Sequence, residues 1–98
     1  MKKIYYHATP MENLGSILSE GIHKGIDGLV YLTEAPDEAA RFVFIRGCKD
    51  IVVFKVEVEE GLVEETFDHS QAFFGCRAFG YNSNIDSSDI IGALEYIV

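Results

Sequence analysis

Two short stretches hold the residue types that can do chemistry. The first is Tyr5-Tyr6-His7-Ala8-Thr9, in which a histidine and a threonine stand two residues apart. The second is Val30-Tyr31-Leu32-Thr33, in which an aromatic ring and a hydroxyl keep the same spacing. On extended chain, residues two apart share a face, so each pair would point one way. A histidine offers a donor and an acceptor near neutral pH. A tyrosine ring beside a hydroxyl offers a flat wall with a polar edge. Together they suit a planar, polar ligand.

The elements that would position these pairs are legible in order. Lys3 to His7 reads as a strand, rich in Ile4, Tyr5 and Tyr6. Thr9-Pro10-Met11-Glu12 then reads as a capped helix start, with Thr9 as the cap, Pro10 at the first helical position and Glu12 closing a capping box. Leu14, Ile17, Leu18 and Ile22 keep helical spacing, and Gly21 is the stop. His23 to Asp27 is a loop, and Gly28 to Thr33 a second strand. Pro36 opens a second helix with Asp37 and Glu38 in its first turn. Ala39, Ala40, Phe42, Val43 and Ile45 make its apolar face, and Gly47 ends it.

Asp50 to Val58 is the clearest strand. Both of its sides begin apolar, which places its first half in the middle of a sheet. Glu59-Glu60-Gly61 turns into an acidic edge strand over Leu62 to Phe67. Asp68 to Gly75 reads as a loop or short helix, and Cys76 to Tyr81 as a strand. Asn82-Ser83-Asn84 is a turn, Ser87-Ser88-Asp89 one helical turn, and Ile90 to Val98 a last strand. The order β-α-β-α followed by mostly β defines an α+β fold, a single domain spanning residues 1-98.

Composition narrows the function classes. In 98 residues, 48% are hydrophobic, enough for a core that buries roughly two-thirds of the unfolded surface. Acidic residues outnumber basic ones 16 to 8, for a net charge of -8, which opposes non-specific binding to nucleic acid or anionic membrane. The two cysteines, Cys48 and Cys76, and the three histidines show no metal-ligand spacing, so no metal is expected. No stretch has transmembrane length and Met-Lys-Lys leads into a strand, so a soluble, cytoplasmic protein is expected.

Tyr6-His7-Ala8-Thr9 before one helix and Val30-Tyr31-Leu32-Thr33 before another, followed by a central strand, resemble the ADP-ribosyltransferase superfamily. That superfamily includes the poly(ADP-ribose) polymerases, the diphtheria-type toxins and the tRNA 2'-phosphotransferases. The resemblance covers most of the chain in element order, although its motifs are short. It implies a split, mainly antiparallel sheet core with two helices in the N-terminal half, and NAD as substrate. It assigns His7 to a ribose hydroxyl, the Ala8 backbone to the nicotinamide amide, and Thr9 to the small hydroxyl position after it. By the same resemblance Tyr31 stacks on nicotinamide, with Thr33 in the neighbouring small-residue position, and Phe42 covers the other face of the ring. His7 and Tyr31 are thus the implied catalytic pair.

The chain also departs from the family. A late-strand glutamate commonly stabilises the positive charge that develops on the sugar. Cys76 to Tyr81 contains none, and Arg77 stands near the place for it. Arg77 is read instead as a clamp for a pyrophosphate. A carboxylate would then have to come from elsewhere, with Glu64, Glu65 and Asp68 nearest in sequence. Without one, binding of NAD with weak or absent cleavage is expected. Three alternatives stand beside this reading. One is a catalytically inactive nucleotide-binding module of the same fold. Another is a 2'-phosphotransferase acting on RNA or a small molecule, although those relatives carry a second histidine in place of Tyr31 and a separate RNA-binding lobe. The last is an acidic interaction or inhibitor protein with a basic protein partner.

Overall fold

β3 (Asp50–Glu59) is the strand around which the protein is built. Ile51, Val52, Val53, Phe54 and Val56 on it have no solvent exposure. Alternation sends Val52, Phe54, Val56 and Val58 to one face and Ile51 and Val53 to the other, and each set enters its own core cluster. The strand is central, as its two-sided apolar pattern requires. It pairs antiparallel with β1 (Lys2–Pro10) on one side and β6 (Ile90–Ile97) on the other. The computed structural model describes residues 1–25, 28–44, 47, 49–66 and 78–97, with the backbone alone at Phe42, Thr66, Ala78 and Ile97.

A second three-stranded sheet has the order β2 (Val30–Leu32), β5 (Ala78–Tyr81), β4 (Val63–Thr66), again antiparallel. Among the described residues the two sheets are joined by the Tyr6–Thr33 bridge. Tyr6 N–H donates to the Thr33 carbonyl and Thr33 N–H to the Tyr6 carbonyl, both at 2.9 Å. The acidic β4 lies at a sheet edge, as its sequence suggests. Among the described residues the fold is α+β with antiparallel ladders only. Its radius of gyration of 12.3 Å fits one compact unit, for which about 13 Å is expected at this length.

The two helices take different places. α2 (Pro36–Phe44) starts at its proline and lays Ala39, Ala40 and Val43 against Ile51 and Val53, with Tyr6 and Ala8 beside them. Gly47, at φ +93°, closes it by donating to the Phe44 carbonyl. α1 (Leu14–Glu20) contributes Leu14 and Ile17 to the rim of the other cluster, around Tyr5, Leu32, Phe54, Phe79 and Ile85.

The start of α1 differs from the capping box expected for it. β1 continues through Pro10, Met11–Asn13 form a 3₁₀ turn, and the helix begins at Leu14. Thr9 is strand, and its buried hydroxyl accepts from Asn13 Nδ2 at 2.8 Å instead of capping a backbone N–H. Pairing with β3 explains this, since Thr9 and Pro10 face Val52 and Ile51 in the ladder and are held extended. Ile22 likewise leaves the helix, pairing with Ile85 across a bridge with both N–H···O distances at 2.8 Å. The second strand is shorter than Gly28 to Thr33, retaining Val30–Leu32 and the Thr33 bridge. The loop or short helix expected over Asp68 to Gly75 lies outside the described residues.

Candidate functional site

His7 stands on β1 opposite Phe54, on the face it shares with Tyr5 and Thr9. Its Nδ1 lies 2.9 Å from the Tyr31 backbone carbonyl. A carbonyl can only accept, so Nδ1 carries the proton and Nε2 carries the lone pair in the neutral ring. Burial lowers the imidazole pKa below the usual histidine value of 6.5, and the bond to Tyr31 opposes this with smaller effect. A neutral imidazole with one nitrogen anchored and the other an acceptor is therefore the form present at neutral pH. It can receive a hydrogen bond from a ligand hydroxyl.

The same ring borders a cleft of about 370 Å³, lined by His7, Thr9, Ser16, Ile17, Glu20, Gly21, Ile22 and His23. Its wall is α1 and the turn that follows. Gly21 shapes that turn with φ +84°, while its N–H donates to the Ile17 carbonyl at 2.8 Å. A Cβ built there would lie 2.2 Å from the Ile85 carbonyl oxygen, so only glycine fits.

Of the residues singled out in the sequence, His7 and Thr9 line the cleft, and Ala8 is half-buried between them on the α2 side. Tyr31 adjoins the site through its carbonyl. The residue is 45% exposed, and alternation puts its ring on the side of β2 opposite buried Val30 and Leu32. Thr33 is 2% exposed and donates its hydroxyl to the Ala35 carbonyl at 2.7 Å, bracing the turn into α2. Phe42 lies in α2, and its side chain falls outside the described residues, as do Arg77 and Asp68 entirely. Glu64 and Glu65 are on β4, and neither lines the cleft.

Sequence reasoning passed over Glu20, Ser16 and His23 as cleft residues. Glu20 carried a signal. It is an acid in the last turn of a helix, next to the terminating glycine, where the exposed carbonyls already concentrate negative charge. Among the described residues no group of three or more His, Cys, Asp or Glu side chains can hold a metal ion, and no helix is long and apolar enough to cross a membrane. Comparison with protein-family models and with curated proteins finds no match to this chain.

Proposed function

We propose that the protein binds NAD in the His7 cleft and acts as an ADP-ribosyltransferase-like protein, transferring or cleaving ADP-ribose. One observation carries this reading. The histidine of the first motif is held by its Nδ1 on the backbone of the second motif's tyrosine, beside a cleft of ligand size. That arrangement leaves Nε2 as an acceptor for a ribose hydroxyl. The cleft volume is at the lower end of the range for small-molecule sites, which suits part of a dinucleotide. Tyr31 gives its carbonyl to that hydrogen bond, and its partly exposed ring, outside the residues that line the cleft, is the flat surface this reading assigns to nicotinamide. The two-sheet core with a helix after each motif is compatible with the split sheet of that superfamily.

In this reading His7 orients the ribose, and its neutral state adds no positive charge where the sugar becomes cationic. Tyr6 turns its backbone N–H and C=O away from β3 to Thr33, and alternation along β1 aims those of Ala8, two residues on, to the same side, where an amide could meet them. Binding is tested by thermal unfolding with NAD, NADP and ADP-ribose at millimolar concentration. A ligand at a hundredfold excess over its Kd adds about 2.7 kcal/mol. His7→Asn, which keeps a donor for Tyr31 and loses the Nε2 acceptor, weakens NAD binding about three- to tenfold. Absence of any shift with all three nucleotides overturns the reading.

A further inference from the structure

We propose that Glu20 is the carboxylate that faces the developing ribosyl cation, in place of a late-strand glutamate. This inference rests on the NAD reading of the His7 cleft. Among the described residues that line the cleft, Glu20 is the one carboxylate, and His7 lines the same space. It forms no ion pair with a described cation, unlike Glu34, which pairs with Lys3 at 3.0 Å. Its position is also costly for a residue with only a structural role. It ends α1, whose last turn holds no basic side chain to offset the negative end of the helix. The carboxylate and those carbonyls together create negative potential beside the cleft, which suits a cation. Gly21 holds the arrangement, because its backbone packs against Ile85 too closely for any side chain.

In the step served, the bond between ribose C1' and the nicotinamide nitrogen breaks. The electron pair leaves with nicotinamide, which becomes neutral, and the positive charge passes to the sugar. Glu20 opposes that charge without forming a bond. Water then adds to C1' and loses a proton to the carboxylate or to solvent, giving ADP-ribose. Ser16 and His23, the other polar side chains of the cleft besides His7 and Thr9, flank this site without supplying an anion.

The test measures NAD binding by calorimetry and nicotinamide release by chromatography on the same proteins. Glu20 is exposed, so Glu20→Gln should fold normally. It is expected to bind NAD within about threefold of wild type and to release nicotinamide about a hundredfold more slowly or worse. Glu64→Gln/Glu65→Gln should match wild type in both measurements. Release by Glu20→Gln within threefold of wild type overturns the assignment, as does a wild type that binds NAD and releases nothing. A wild type that does not bind NAD at all overturns the nucleotide reading itself, and the assignment with it.

Discussion

α1 and α2 each follow a strand that carries one of the two motifs, yet they are used in opposite ways. α2 buries Ala39, Ala40 and Val43 on the central sheet. α1 buries no residue, and Leu18 on it is 51% exposed. The difference follows from the partners available. α2 lies over Ile51 and Val53, on a flat apolar face. α1 stands at the edge of the other core cluster, held by Leu14 and Ile17 and by the Ile22–Ile85 bridge. The helix that contributes less to the core is the one that walls the cleft. Segments with few buried contacts open at lower free energy than the core, and binding walls are drawn from them. α2 therefore serves the fold, while α1 contributes little to it and lines the cleft.

The sharpest way to break this comparison is at the end of α1. Gly21→Ala places a Cβ 2.2 Å from the Ile85 carbonyl, at φ +84°. The backbone conformation alone costs a non-glycine residue on the order of 1–3 kcal/mol, and the clash adds to that. A chain of this size has about 5–15 kcal/mol in total. Chemical denaturation should show a large loss of stability, and NAD binding should fall more than the loss of folded protein explains. A Gly21→Ala protein with wild-type stability would mean that the turn is not fixed against Ile85.

A smaller effect separates the two helices directly. Val43→Ala removes buried methyl groups beneath α2 and should cost about 1.5–2.5 kcal/mol. Leu18→Ala, on the exposed side of α1, should stay within about 0.5 kcal/mol of wild type. Equal costs in urea denaturation would show that α1 is covered in solution and would end the distinction drawn between the helices.

What the sequence made legible follows the same division. The two-sided apolar run from Ile51 to Phe54 announced a central strand because burial on both faces leaves no polar alternation. Pro36 and Gly47 bracketed α2 because each acts through its own backbone geometry. The start of α1 was misread because a capping box is a local signal, and nine-residue pairing of β1 with β3 overrides it. His7 could be picked out beside a helix, but its anchor is the carbonyl of Tyr31, and a backbone atom leaves no trace in residue types. Glu20 was not legible as a cleft residue because nearness in sequence to the late strand pointed to Glu64, Glu65 and Asp68, whereas the Ile22–Ile85 bridge ties the end of α1 to a segment more than sixty residues away.

The smallest effect expected is a dependence of stability on pH that belongs to His7. Its pKa in the folded protein lies below the usual 6.5, chiefly because burial disfavours the imidazolium. In the unfolded chain the same ring titrates near 6.5. Below that pH the unfolded state binds the proton first, so acidification favours unfolding. The loss begins as pH falls through about 6.5 and levels off once the folded-state pKa is passed, while above 6.5 the ring contributes no slope. His7→Asn keeps a donor near the Tyr31 carbonyl and has no proton to gain. The other histidines and all carboxylates are common to both proteins, so the difference between their stability profiles isolates His7. Urea denaturation from pH 8 to 5 should show wild type losing stability relative to His7→Asn below about 6.5, with parallel profiles above. A gain by wild type over that range would mean that the folded protein prefers the imidazolium, which would remove the neutral acceptor that the proposed NAD site requires.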